Sequence, residues 1–317
     1  MGGGCRAALH IQHTGAAMKY FVTAGEDRSL DPDTRAELRG RFLPCHDGIT
    51  HYELTGPTGG ELVVLIGGLT IPLFYWDQLV ARLHDHGFRT LAYSGYGRGY
   101  SDRIESTYDE ALFLRQLTDL LDGLELGDEP RHVLGTSMGA LVAMAHVEQH
   151  VHRTVSLTLV GPAGLEPRPP AGAALLRHEL LGRQFAKRLG RRLLERHLSD
   201  NVRDPQQSRE LTAMVRDCYR YEGSLYSFFA TIADFPLAAR HDLYRRTSHS
   251  PVPTMLVWGD TDNVTPITRF DEVRTLLAPA EAHVVTDCGH MASYEQPGLV
   301  AQYFTSFAEK INRKAAR

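Results

Sequence analysis

The sequence predicts an α/β fold in which a mostly parallel, doubly wound sheet carries an inserted all-helical segment. Strand-like and helix-like segments alternate through most of the 317 residues, as in a parallel sheet covered by helices on both faces. The alternation stops between 164 and 250, where the pattern is helical only. We therefore expect a disordered extension over 1–18, a core over 19–163 and 251–317, and a helical lid over 164–250.

Runs of apolar and β-branched residues predict the strands, and 3.6-residue periodicity predicts the helices. The predicted strands lie near Arg41–Pro44, Thr50–Thr55, Leu62–Ile66, Thr90–Tyr93, His132–Leu134, Ser156–Val160, Thr254–Trp258 and His283–Val285. The core helices are predicted near Trp76–Asp85, Tyr108–Leu124, Met138–Gln149, Arg269–Leu277 and Leu299–Ile311.

A serine between the fifth predicted strand and the helix after it is the strongest chemical signal. Ser137 is the centre of Gly135-Thr136-Ser137-Met138-Gly139. A strand that runs into Gly-x-Ser-x-Gly, with a helix directly after it, places the serine on a strained turn and exposes its hydroxyl. Ser137 is therefore the candidate nucleophile, and a serine nucleophile needs a base and a carboxylate that orients the base.

Candidates for both partners follow strands in the second half of the chain. The seventh strand ends in Gly259-Asp260-Thr261-Asp262, and the eighth is followed by Asp287-Cys288-Gly289-His290. By themselves the residues leave Asp260 and Asp262 open as the acid.

The segments around Ser137, the aspartates after the seventh predicted strand and His290 follow one another in the order serine, acid, histidine, and Glu295-Gln296-Pro297 comes after them. With this order the chain resembles the alpha/beta hydrolase superfamily over roughly 39–313. The resemblance implies His290 as the base and Asp262 as the acid, because relatives place the acid three residues after the glycine. Some relatives carry the acid one strand earlier, but 159–164 contains no carboxylate.

The resemblance also implies an oxyanion hole formed by the backbone N–H groups of Met138 and Leu69. This chain has Gly67 where relatives usually have a histidine, so a side chain that normally braces the loop around Leu69 is missing. The segment Tyr93–Arg103 resembles the family's Asp-x-x-Gly-x-Gly-x-Ser loop, with Ser94 in place of the aspartate. We interpret that loop as structural.

Aromatic residues in the lid and beside the oxyanion loop predict a mostly apolar pocket. The predicted substrate-binding residues are Gly68, Phe74, Tyr75, Tyr226 and Phe229. We therefore expect an uncharged, lipophilic carboxylic ester (the substrate of an esterase, lipase-like enzyme, lactonase or methylesterase), cleaved through an acyl-enzyme on Ser137.

Other reactions of the same fold stay open. Thioester and carbon–carbon bond hydrolysis share the triad, and a triad-bearing lyase, cyclase or ligand receptor is a further alternative. Epoxide hydrolases and haloalkane dehalogenases attack with an aspartate, so the serine at position 137 excludes them.

The composition of the chain restricts the classes of partner that we expect it to bind. The formal net charge of −4 gives no reason to expect nucleic acid, and no apolar run is long enough to span a bilayer. His146 and His150 stand four apart without a third ligand, so we expect no metal, and we expect no cofactor. The four cysteines lack disulfide or metal spacing, which together with the absence of a signal sequence predicts a cytoplasmic location. We expect a monomer or a homodimer.

Overall fold

Eight strands form one sheet in a computed structural model of the chain, which describes residues 18–169, 172–176, 178–199 and 201–315. The strands are β1 (Arg41–Pro44), β2 (Ile49–Thr55), β3 (Leu62–Ile66), β4 (Arg89–Tyr93), β5 (Arg131–Thr136), β6 (Thr154–Val160), β7 (Thr254–Gly259) and β8 (Glu281–Val285). Their order is β1-β2-β4-β3-β5-β6-β7-β8, and β2 is antiparallel to β1 and β4. All other neighbours are parallel.

The centre of the sheet is buried on both faces. All five residues of β3 and all six of β5 are buried, as expected for central parallel strands that helices cover on both sides. β3 has β4 on one side and β5 on the other. A sheet of this kind binds ligands outside the carboxyl ends of its strands, at the point where the strand order reverses.

The helices form two groups, one that flanks the sheet and one inserted between β6 and β7, so the predicted fold class is confirmed. Those outside the lid are α1 (Pro32–Glu37), α2 (Asp77–Asp85), α3 (Glu110–Gly123), α4 (Met138–Gln149), α10 (Phe270–Leu277), α11 (Ala292–Glu295) and α12 (Pro297–Ala315). Those of the lid are α5 (Ala173–Leu176), α6 (Glu179–Ser199), α7 (Pro205–Cys218), α8 (Ser224–Asp234) and α9 (His241–Ser248). α2 packs against α12, while α4 packs against α3 and α9.

The first residues of several helices differ from the prediction, because a capping residue or a proline determines where the helix begins. α3 begins at Glu110 because the Asp109 side chain accepts a hydrogen bond from the Leu112 N–H at 2.9 Å. α12 begins at Pro297, two residues before the predicted start, since proline suits the first position of a helix. The residues Leu73–Trp76 form a separate 3-10 turn before α2.

The first described residues pack on the lid. Residues 1–17 of the predicted extension lie outside the described residues, but Met18 is buried, so the extension does not include it. The Phe21 ring meets the Tyr226 ring edge-on at 5.9 Å, and the Leu225 N–H donates to Glu26 Oε1 at 2.7 Å. The segment 18–26 therefore contacts α8 as well as the core. None of the helices in the described ranges is long and apolar enough to cross a membrane.

Candidate active site

Ser137 occupies a strained turn between β5 and α4. Its backbone has φ 56° and ψ −123°, in the left-handed range that non-glycine residues seldom adopt. The turn is held on both sides, because the Ser137 N–H donates to the Val160 carbonyl at 3.0 Å and its carbonyl accepts from the Ala163 N–H at 3.2 Å. Strain of this kind persists only where surrounding contacts enforce it.

The two glycines of the motif are required by the close approach of neighbouring backbone. A Cβ at Gly135 would lie 2.5 Å from the Gly139 carbonyl oxygen. A Cβ at Gly139 would collide with the Ile66 carbonyl oxygen at the end of β3. The sequence Gly-x-Ser-x-Gly thus lets α4 start directly against the sheet.

His290 and Asp262 form a buried pair after β8 and β7. His290 Nδ1 lies 2.8 Å from Asp262 Oδ2, and both side chains are almost fully buried. Asp262 Oδ1 accepts the N–H groups of Val264 at 2.8 Å and Thr265 at 2.9 Å. An Nδ1–H that donates to the carboxylate leaves Nε2 as the basic nitrogen.

Asp260 has a different neighbour. Its Oδ1 accepts the Cys288 N–H at 3.1 Å, which ties the loop after β7 to the loop after β8. Of the two carboxylates that the sequence left open, the structure places Asp262 against the imidazole.

One segment joins the serine to this pair. Gly161 follows β6, next to the residue that holds Ser137, and a Cβ on it would lie 3.2 Å from Asp262 Oδ2 and 3.3 Å from His290 Nδ1. A glycine with φ +49° therefore lets the chain pass between the Ser137 turn and the imidazole–carboxylate pair.

Glu295 holds the loop that carries His290. Its carboxylate accepts the N–H groups of Gly289 at 3.1 Å, Met291 at 3.2 Å and Arg203 at 2.9 Å. Arg203 belongs to the lid, and the His290 N–H donates to the carbonyl of Asn201 in the same lid segment at 3.0 Å. His290 is thus positioned by contacts from both the core and the lid.

Met138 follows the serine directly, and the loop that carries Leu69 approaches the serine through Gly68. Met138 is the first residue of α4, where backbone N–H groups have no acceptor within the helix. Gly68 lies against Ser137, since a Cβ there would be 3.1 Å from the Ser137 Cβ. A Cβ at Gly67 would lie 3.1 Å from the Ile71 side chain, so a histidine at this position would require Ile71 to shift.

A cavity of about 470 Å³ opens above Ser137 under the lid helices. Leu69, Ser137 and Met138 line it beside side chains of the lid and of the loops after β6 and β7, and most of the lining is apolar. The main contributors from the lid are Leu176, Phe185, Leu193, Phe228, Phe229 and Ile232. Charged side chains of Glu166, Arg168 and Arg269 also line it.

Of the five predicted substrate-binding residues, Phe229 lines the cavity and Gly68 lies beside the serine, but three aromatic residues lie elsewhere. Phe74 packs between His51 and Tyr100. Tyr75 is fully buried and stacks at 5.7 Å on the Tyr294 ring, because the 3-10 turn directs it into the core. Tyr226 faces the Tyr20 ring at 5.1 Å, on the side of α8 away from the cavity.

The rings of the two histidines considered as metal ligands pack against each other in a tilted arrangement. The rings of His146 and His150 have centroids 4.4 Å apart, and His146 is buried. Across the described ranges, no three His, Cys, Asp or Glu side chains are grouped so that they could hold a metal ion.

The sequence matches the alpha/beta hydrolase family over residues 63–303. The chain belongs to that family. A 2-hydroxy-6-oxononadienedioate/2-hydroxy-6-oxononatrienedioate hydrolase from Burkholderia vietnamiensis is 27% identical over 314 residues, which cover 96% of each chain. Monoacylglycerol lipase abhd6-B from Xenopus laevis is 25% identical over 62% of this chain and 60% of its own. The structure of a thermophilic esterase from Thermogutta terrifontis matches with a TM-score of 0.72 at 20% identity, over 86% of this chain and 99% of that one.

Sequence reasoning about this alpha/beta hydrolase missed Thr265. Its hydroxyl donates to Asp262 Oδ2 at 2.8 Å and lies 3.2 Å from both His290 Nδ1 and the Gly161 carbonyl. A threonine three residues after a loop aspartate is a local hydrogen-bonding pattern, which was the signal available.

Proposed function

We propose that this alpha/beta hydrolase is a serine esterase that cleaves an uncharged, lipophilic carboxylic ester through an acyl-enzyme on Ser137. The observation that carries the proposal is the strained Ser137 turn at an apolar cavity. Val160 holds this turn, and the next residue, Gly161, lies against the buried His290–Asp262 pair. A triad needs a serine nucleophile, a histidine base and a carboxylate that orients the base, and these three residue types support the proposal.

The reaction proceeds in two acyl-transfer steps. The Ser137 hydroxyl attacks the ester carbonyl while its proton passes to His290 Nε2, and the backbone N–H groups of Met138 and Leu69 stabilise the resulting oxyanion. Collapse of this intermediate breaks the bond to the alcohol, which leaves with the proton from His290. Water then attacks the acyl-enzyme and gives a proton to His290, which returns it to Ser137 as the carboxylic acid departs.

The lining of the cavity supports an uncharged substrate. Arg269 lies at one side, but its guanidinium pairs with Glu272 at 2.9 Å and lies 3.8 Å from Glu166. Within the described residues this leaves Arg168 as the lining arginine outside such pairs. A lipophilic acyl chain fits the apolar remainder, since burial of apolar surface stabilises by about 25 cal/mol per Å².

A second candidate is hydrolysis of a carbon–carbon bond. The Burkholderia relative is similar over almost the whole chain and, by its name, acts on a dicarboxylate. The same serine, base and oxyanion hole would serve, with carbon as the leaving atom. A dicarboxylate needs cations in the cavity, and the pairing of Arg269 with glutamates makes it a poorer partner for one.

The first test is labelling with a fluorophosphonate probe, followed by mass spectrometric mapping of the modified residue. We expect label on Ser137 in the wild-type protein and none in Ser137→Ala. Asp262→Asn should lower kcat about 10⁴-fold, whereas Asp260→Asn, the matched control, should retain most activity. A folded wild-type protein that takes no label would refute the proposal.

A substrate panel separates the candidates. Purified protein is assayed with p-nitrophenyl esters of increasing chain length, with the matching thioesters and with a 2-hydroxy-6-oxo-dienoate. Preference for a medium or long ester supports the proposal, and preference for the dienoate supports carbon–carbon cleavage.

The proposal also includes three further expectations. The substrate is a small molecule and the enzyme uses no cofactor. The protein is located in the cytoplasm, and it is a monomer or a homodimer.

A further inference from the structure

Arg98 is a buried cation beneath the oxyanion loop. It lies in the glycine-rich loop after β4 and is 1% exposed. Within the described residues its guanidinium pairs with no carboxylate; it instead donates to neutral oxygens and lies 5.2 Å from the centre of the Phe113 ring. Burial of a charge without a counter-charge is costly, and here burial lowers the pKa of the Arg98 guanidinium.

The first of its bonds reaches the residue expected to stabilise the oxyanion. Arg98 Nε donates to the Leu69 carbonyl at 2.7 Å. This bond fixes the peptide plane between Leu69 and Thr70 and so restrains Leu69, whose N–H is the expected oxyanion donor. The loop needs such a brace because Gly67 and Gly68 precede Leu69, and glycines leave the backbone free to change conformation.

The other two bonds anchor the guanidinium. Nη1 donates to the Tyr96 carbonyl at 2.6 Å, within the same loop. Nη2 donates to Thr231 Oγ1 at 2.9 Å on the lid helix α8. The next residue on α8, Ile232, lines the substrate cavity. One side chain therefore links the oxyanion loop to a lid helix that contacts substrate space.

We propose that Arg98 is a positioning residue that holds the Leu69 N–H in place for the oxyanion, as a substitute for the side chain missing at Gly67, and couples that loop to α8. The inference rests on the proposed function. It predicts a loss in turnover rather than in binding, because the oxyanion forms only in the transition state.

The size of the expected effect follows from known losses. Removal of one oxyanion donor costs about 10²- to 10³-fold in kcat, and a displacement of about 1 Å costs about 10²-fold. We expect Arg98→Met to lower kcat about 100-fold, with KM changed less than about threefold. Its affinity for a trifluoromethyl ketone, whose serine adduct carries an oxyanion, should fall by a similar factor.

Arg103 provides the matched control. It lies in the same loop and donates to the carbonyls of Gly99 at 2.7 Å and Cys218 at 2.9 Å and to the Ser224 hydroxyl at 3.0 Å. It thus binds backbone and lid as Arg98 does, but it makes no bond to Leu69. Arg103→Met should lower the melting temperature comparably and leave kcat within about threefold of the wild type.

The experiment measures kcat and KM on a p-nitrophenyl ester, the inhibition constant of the ketone, the Ser137 labelling rate and the melting temperature. Equal kcat losses in the two Met variants, or unchanged kcat in a folded Arg98→Met, would overturn the inference. If Arg98→Met fails to fold, Arg98→Lys is the deciding variant. A kcat at least tenfold below that of the wild type, with a matching loss of affinity for the ketone, supports the inference. A smaller loss of kcat refutes it. An unlabelled wild-type protein refutes the proposed function itself, whereas wild-type labelling rates in Arg98 variants refute only this inference.

Discussion

Substitution of His146 should make the protein less sensitive to acid. The imidazole is 1% exposed, and neither ring nitrogen has a hydrogen-bond partner among the described residues. Burial lowers its pKa to about 3, and the nearby His150 and Arg131 add repulsion against a proton. The folded protein thus keeps this ring neutral at pH values where an exposed histidine is charged.

The magnitude follows from proton linkage. In the unfolded chain the pKa is about 6.5, so the unfolded state takes up a proton between pH 6.5 and 3 while the folded state does not. Acid therefore favours unfolding in that window, and above pH 6.5 the effect is absent. Between pH 7 and pH 5 the free energy of unfolding falls by about 2 kcal/mol through His146 alone. His51, whose pKa burial also lowers to about 3, adds a similar loss.

The test is urea denaturation of the wild type and His146→Leu from pH 4 to pH 8. Leucine removes both unpaired nitrogens, so the variant should be at least as stable at pH 7 and should lose about 2 kcal/mol less on acidification to pH 5. His152→Leu is the control, because His152 is exposed. An acid dependence in His146→Leu equal to that of the wild type would refute the reasoning.

Three further substitutions test the backbone and the acid–base pair. Gly139→Ala should lower the melting temperature steeply, because its Cβ would collide with the Ile66 carbonyl, whereas Gly298→Ala meets nothing within 4 Å and should be neutral. Glu295→Gln should lower the free energy of unfolding in urea by about 1–3 kcal/mol, since an amide N–H₂ would face backbone N–H donors. Thr265→Val removes a donor to the carboxylate of the acid and should lower kcat about tenfold on a p-nitrophenyl ester, with an unchanged melting temperature as the sign that the effect is local.

The sequence predicted the fold because each strand and core helix has a local signal. β3 is a continuous aliphatic run that buries both faces, and Ser137 lies between a strand and a helix with glycines at the two positions where backbone approaches closely. Helix α1 also had a local signal, Asp31 before Pro32, but it was missed. Asp31 accepts the Thr34 N–H at 2.8 Å, as an N-cap residue should.

The pocket was predicted less well, because composition does not say which way an aromatic side chain points. Tyr226 and Phe229 are three residues apart on α8, yet only Phe229 lines the cavity. The face of a lid helix that points to the cavity depends on what packs on the opposite face. On α8 the segment beginning at Met18 covers Tyr226, and this segment was expected to be disordered or part of the core. Periodicity along one helix carries no information about a partner that lies 200 residues away in the chain.

The same separation explains why the positioning residues escape a reading of local motifs. Arg98 reaches Leu69 and Thr231, and Glu295 reaches Arg203, across 29 to 133 residues of chain. A short sequence motif reveals a residue whose own backbone is strained or lies close to a neighbouring strand or helix. Such a motif therefore identifies Ser137 and its two glycines. A positioning residue binds a backbone carbonyl or N–H group, which almost every residue has. The residue that it positions therefore needs no particular side chain that a sequence motif could reveal. A buried charge without a counter-charge is then the observable that reveals it, and such a charge can be recognised only once the fold has brought its acceptors together.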